Sequence, residues 1–289
     1  MWTFLVQGVF QGAVYGLLAV GLVLVYKGTR VFNFAQGEFG SVAAFVTWGL
    51  LLHTAVPYLV AFVGGLLAAV AMGLLVERAV VRPLFAASRL ILLVATVGVA
   101  LLAIALTVLA AQPQARVLPP AVAGEPITVA GASVLPQQIL VLVALAAVAA
   151  GLAGFFRTDL GLAVLAVSQD PVATRVVGIN PVMLSRVIWG LAAGLGGLAG
   201  LLQAPVGIFT PGFMTATTLL PAFAAAVLGG MTSLPGAFAG GVAIGVAQNL
   251  GIYLLGQQLA VPGAAELTVF GLLLAVLLVR PQGLLGKAA

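Results

Sequence analysis

A chain of 289 residues that is 63% hydrophobic and only 6% charged, with a mean hydropathy of +1.28, cannot fold as a water-soluble domain without a vast exposed apolar surface. The absence of cysteine excludes a disulfide framework, a thiolate metal site and a cysteine nucleophile, and the single histidine, His53, argues against a histidine metal site. The net charge of +5 lies between apolar runs, so it reports membrane topology and not nucleic-acid binding.

In chain order, the first apolar run, 3–26, lacks a basic leader and a small-residue cleavage site, so it reads as a membrane helix and not a signal peptide. It stops at Lys27 and Arg30. The second run, 31–52, is interrupted by NFAQGEFG at 33–40. The third, 58–76, meets Arg78, Arg82 and Arg89, with Pro83 breaking the helix between them. After the fourth, 90–111, comes a proline-rich loop, 112–136, whose ITVAGASV alternates like a small hairpin. The fifth run is 137–156. In the sixth, 187–203, GLAAGLGGLAGLL spaces small residues for close helix contact. A short seventh run, 218–227, breaks at LGGMTSLPGAFAGG; the eighth, 237–255, and ninth, 266–279, precede the tail RPQGLLGKAA. Tyr253 and Glu266 flank the last outer loop and read as its anchors. The chain is thus expected to be one all-α polytopic membrane domain over 1–289, with about eight or nine transmembrane segments, some of them broken.

The loop at 157–186 carries a local structure of its own. Asp170 stands at an N-cap, Pro171 at the first helical position and Gly178 at a left-handed C-cap, which bounds a helix of about two turns. Val172 and Val176 are four apart, as are Ala173 and Val177, so an apolar stripe forms while Arg175 faces elsewhere. Such a helix is too short to span a bilayer and reads as a knob for a partner protein; the alternative is a helix lying on the lipid surface, which ordinarily carries more Lys and Arg. With the N-terminus outside, ten of the eleven basic residues fall on the inner side and only Arg116 outside, which puts this loop and the C-terminus in the cytoplasm.

Two interruptions stand out within the spans. The first sets Asn33, Gln36, Gly37 and Glu38 inside or at the edge of a span, with Glu38 the sole acidic residue of the first half near membrane depth. The second sets Gly229, Gly230, Ser233 and Gly236 in a matching place near the other end. GEFGSVAAFV and GAFAGGVAIG follow the two breaks, and a pair of interrupted segments points to an internal repeat with a central pathway. A half-helix starting at such a break offers unpaired N–H groups to a passing carboxylate. The other reading is that the glycines serve tight crossings and that Glu38 makes a capping or interhelical hydrogen bond. No catalytic trio or phosphate-cradling loop occurs, so neither an enzyme nor a cofactor is expected.

Four stretches resemble one known family: GLLAVGLVLVYKGTRVFNFAQGEFG at 16–40, QDPVATRVVGIN at 169–180, AAVLGGMTSLPGAFAGG at 225–241 and RPQGLLG at 280–286. Together they are similar to the LivH-type permease subunits of ABC importers for branched-chain amino acids, and the resemblance extends over nearly the whole chain. It implies a multi-pass protein of the cell inner membrane that works with two cytoplasmic ABC ATPases, a second permease subunit of the sister LivM type and an extracytoplasmic substrate-binding protein. The segment holding Asp170, Pro171, Val172, Arg175, Val176, Gly178, Ile179 and Asn180 looks like the coupling helix that docks on the ATPase, where ATP is hydrolysed. Related permeases for urea, short amides or other amino acids look similar. A stand-alone channel or ion-coupled carrier would want more ionisable groups within the spans than Glu38.

Overall fold

The computed structural model describes residues 1–129, 131–169, 174, 176, 178–280 and 282–284. At its centre is α1 (Trp2–Thr29), an unbroken apolar helix of 28 residues that ends where Arg30 turns left-handed at φ 57° and returns its N–H to Tyr26 O. Of its most apolar stretch, 89% is buried inside the protein, against 28% for the third and fourth helices and 17% for the fifth. The other elements are therefore arranged around α1, and the peripheral helices present apolar faces outward.

From Arg30 the chain runs back without regular structure to α2 (Gln36–His53), then through α3 (Tyr58–Val76), which continues as a π-turn over Glu77–Val81. Ser88 caps α4 (Arg89–Ala111) by accepting from Ile91 N. The outer loop holds the expected hairpin, β1 (Ile127–Val129) against β2 (Ala132–Val134), antiparallel with Ile127 opposite Val134. Then follow α5 (Pro136–Phe155), α6 (Asp159–Gln169) and α7 (Pro181–Gln203). A five-residue α8 (Phe213–Thr217) leads to α9 (Leu219–Gly229), α10 (Leu234–Gly251) with its π-turn Ile252–Gln258, and α11 (Ala264–Val279). The helix α6 had no counterpart in the sequence reading, which placed its residues in the loop at 157–186.

Among the described residues, six helices are long and apolar enough to cross a membrane, and α9 and α11 are shorter apolar helices. The short α9 is explained by its packing. Gly229 abuts Gly236 and Ala225 abuts Gly240, so α9 and α10 form an antiparallel hairpin whose turn lies between them. At 1.5 Å per residue the 11 residues of α9 reach only about 16 Å, roughly half the apolar thickness of a bilayer.

The central contact is that of α1 with α10, which run antiparallel with Gly8 and Gly12 facing Gly245 and Gly241. A Cβ on Gly12 would lie 2.7 Å from both Gly241 O and Val242 Cα, closer than any real contact, so the backbones touch directly. The spacing Gly8, Gly12, Gly16 is the small-residue pattern by which helices associate in lipid, where no hydrophobic force separates helix from hydrocarbon. A second close crossing sets Gly40 of α2 against Gly196 and Gly200 of α7, with a Cβ on Gly40 falling 2.7 Å from Gly196 O.

The bundle has two chemically distinct ends. At one, Gln7 joins the starts of α1 and α5 through Gln138 and Ser133 O, and Arg116 stacks 4.5 Å over Trp48 while donating to Ala111 O. At the other, the last turn of α1 carries Lys27, and Glu77 of the π-turn meets Arg186 of α7 at 3.9 Å. Arg116 thus stands apart from Lys27, Arg30, Arg78 and Arg186, in line with the charge partition read from the sequence.

Replacing Gly12 with alanine forces a backbone shift at the α1–α10 crossing and is expected to destabilise the protein by about 1–3 kcal/mol. Gly98→Ala, on α4 with nothing within 4 Å, is expected to be neutral or slightly stabilising. Thermal melting of the two variants in detergent, followed by size-exclusion chromatography, checks the difference.

Candidate functional site

The backbone between Arg30 and Gln36 leaves the helical ladder among buried residues, so its polar groups need partners within the protein. They are found locally. Asn33 Oδ1 accepts from Ala35 N at 3.0 Å, and Thr96 of α4 accepts from Phe34 N at 3.2 Å while donating toward Phe32 O at 3.1 Å and Leu93 O at 2.8 Å. Gln36 then bridges two elements: its Oε1 accepts from Asn33 Nδ2 at 3.1 Å and its Nε2 donates to Ala192 O of α7 at 2.8 Å. Asn33 and Gln36 are therefore structural keystones of the break, fully buried.

Glu38 lies in the first turn of α2, fully buried, where the positive end of the helix dipole favours a carboxylate. Ser41 Oγ stands 3.5 Å from Glu38 Oε1 and accepts from Met214 N at 3.3 Å, which joins the carboxylate to α8. The hydroxyl of Thr215 faces Glu38 and abuts Gly37, yet neither Glu38 Oε2 nor Thr215 Oγ1 closes a hydrogen bond. A buried carboxylate with one oxygen unpartnered is costly at this depth.

The second break is built more simply. Gly230 turns at φ 93°, Ser233 Oγ accepts from Gly236 N at 3.1 Å, and α10 begins. The C-terminal tail closes over it: Leu284 N donates to Leu228 O at 2.7 Å, and Gly283, at φ 76°, fits against Gly230. This gives a physical use for the sequence RPQGLLG, at least through Leu284. The two half-helices start at comparable depth. Gln36 sits beside Gly21 of α1, and Leu234 lies one turn before Phe238, which faces Gly16. Stacked rings of Phe34 and Phe223, centroids 4.9 Å apart, link the first break to α9.

In the loop at 157–186, Asp170, Pro171, Val172 and Arg175 lie outside the described residues. Of the rest, Val176 is 83% exposed, and Gly178 is left-handed at φ 83°. Ile179 N donates to Thr174 O at 3.0 Å, the six-residue bond of a glycine-closed helix end, as the sequence predicts. Asn180 also caps α7: its side chain accepts from Val182 N at 3.0 Å and Met183 N at 3.4 Å.

Two features escaped the sequence reading. Glu77, 1% exposed, is a second buried carboxylate in the first half, so Glu38 is not alone there. Second, polar side chains line two cavities near the Gln7 end, about 230 and 340 Å³ in volume, which share Gln11, Tyr15, Gln203 and Gln248. Tyr15 donates to Gln248 Oε1 at 2.6 Å. Glu266, expected as a loop anchor, lines the larger cavity, as do Phe213 and Thr217 of α8. The signal was present in Gln7, Gln11 and Tyr15, spaced by four in an otherwise apolar helix, which aligns them on one face.

The comparisons with known proteins agree with this architecture. Residues 4–278 match the family described as branched-chain amino acid transport system / permease component. BraD of Pseudomonas aeruginosa, a high-affinity branched-chain amino acid transport system permease protein, is 34% identical over 98% of this chain and 95% of its own length. LivH of Escherichia coli K12, described in the same words, is 31% identical over 97% of this chain and 94% of its own. Among solved structures, PsaBC from Streptococcus pneumoniae, in complex with Fab, covers 96% of this chain and 92% of its own at a TM-score of 0.52 and 16% identity, a likeness of fold. The chain belongs to the family of branched-chain amino acid transport system permease components.

Proposed function

We propose that this chain is the membrane-spanning permease of an ABC importer of the cell inner membrane that moves branched-chain amino acids, its transport energised by two cytoplasmic ATPase subunits. An extracytoplasmic binding protein delivers the substrate, and a second permease subunit of the sister type completes the pathway. The observation that carries this reading is the fully buried, incompletely bonded Glu38 at a helix start inside the span, in a chain that belongs to a permease family over 4–278. ATP hydrolysis belongs to the partners.

In this reading Asn33, Gln36, Gly37, Glu38, Gly229, Gly230, Ser233 and Gly236 border the translocation pathway. The comparable depth of the two helix starts supports an internal repeat, and counting α2, α9 and α11 with the six longer helices brings the span count to about eight or nine. The segment around 170–180 is the coupling helix; the exposure of Val176 and the left-handed Gly178 support a short capped knob free to enter a groove. The N-terminus lies outside and the C-terminus in the cytoplasm, which the isolation of Arg116 at the Gln7 end supports.

Three experiments test the parts separately. Glu38→Gln is expected to slow ATP-driven leucine uptake by about tenfold, the effect of one charged hydrogen-bonding group, with the ATPases still bound; unchanged uptake returns Glu38 to a packing role. Val176→Asp is expected to leave the protein folded in detergent and to abolish co-purification with the ATPase and ATP-dependent uptake; normal uptake removes the coupling assignment. Since the chain has no cysteine, single Thr128→Cys and Val176→Cys variants report orientation in intact cells. An impermeant maleimide is expected to label position 128, in the exposed hairpin strand, and to spare 176.

A further inference from the structure

We infer that the larger cavity at the Gln7 end is a substrate site within this subunit, built for a zwitterionic α-amino acid with an apolar side chain; this rests on the transport reading above and names where the cargo is held. The cavity, about 340 Å³, is within the range of small-ligand sites, roughly 300–1,000 Å³. Its polar groups divide in a way that fits the two ends of one molecule. Glu266 supplies a carboxylate that, among the described residues, has no cationic partner; it only accepts hydrogen bonds, and an ammonium offers it both donors and opposite charge. Gln11, Gln203 and Gln248 supply amide N–H donors, and Gln203 makes no side-chain hydrogen bond among the described residues; donors without a cation suit a carboxylate whose charge is balanced by its own ammonium.

Phe209, Phe213 and Val269 complete the wall with apolar surface for the side chain. Urea or a short amide would match the glutamines and could donate to Glu266, but would leave the apolar wall without a partner. An isolated inorganic cation would leave the amide donors unused. The zwitterion engages all three parts and sets an opposite charge against Glu266.

The test uses the permease pair assembled with its ATPases in lipid nanodiscs, with radiolabelled leucine as the probe and 4-methylpentanoate, leucine without its ammonium, as competitor. Glu266 is exposed, so Glu266→Gln is expected to fold as the parent does. It is expected to weaken leucine binding and raise the uptake KM by about tenfold, one charge-assisted contact, while the maximal rate stays the same and competition by 4-methylpentanoate, which has no ammonium to lose a partner, does not weaken. Gln203→Leu is expected to weaken both ligands, since both carry the carboxylate. Leucine uptake with KM and binding unchanged in both variants overturns the site and leaves the transport reading standing. Failure of the parent assembly to take up any branched-chain amino acid overturns both.

Discussion

A peptide group in hydrocarbon has no water to bond to, and this single requirement shapes the two places where the chain leaves the helix inside the bundle. At the first break Asn33 from the loop and Thr96 from α4 take up loop backbone groups, while Gln36 at the start of α2 holds the Asn33 side chain and reaches Ala192 O of α7. At the second, Ser233 caps the new helix and the C-terminal tail lays a backbone N–H against Leu228. A break satisfied by side chains ties together whichever elements provide them. Gln36 thereby fixes α2 to α7, and Thr96 fixes the loop to α4.

The glycine crossings add a second kind of tie. Where backbones touch, as α1 does α10 and α2 does α7, contact is close along the crossing and leaves no side chain to rearrange. The peripheral α3, α4 and α5, mostly exposed along their apolar lengths, have faces free for lipid or for a second subunit. The Glu77 to Arg186 pair lies between these two groups, at the end of the bundle from which the 157–186 loop emerges.

Much of this was legible in the sequence because the signals were local. Apolar length gave the helices, Pro and Gly gave their ends, and the polar insertion NFAQGEFG marked a true helix start at Gln36. The alternation of ITVAGASV gave a real hairpin. What escaped depended on partners distant in the chain. Nothing near Glu266 in sequence reveals that it shares a cavity with Gln11 and Gln203, and Gly241 looks like any small residue until Gly12 and Gly16 are set against it. The shortness of α9 was visible as a short run, but its role as half of a hairpin required the contact between Gly229 and Gly236. Among the residues expected to couple to a partner, Asn180 also caps the next helix, a duty the motif GIN does not reveal by itself.

The cavity and the buried Glu38 are separated by very little protein. The five residues of α8 divide their faces: Phe213 and Thr217 line the cavity, whereas Met214 binds Ser41 through its N–H and Thr215 turns its hydroxyl toward Glu38. A five-residue helix is a single turn and a fraction, held to α2 by the 3.3 Å hydrogen bond from Met214 N to Ser41, by the fully buried Met214 side chain and by the close approach of Thr215 to Gly37. The partition between the cavity and Glu38 is therefore one short helix. Displacing α8 toward the cavity would break the Ser41 contact, expose the unpartnered oxygen of Glu38 to whatever the cavity holds, and leave the Asn33 and Gln36 network intact, because none of its bonds involves α8.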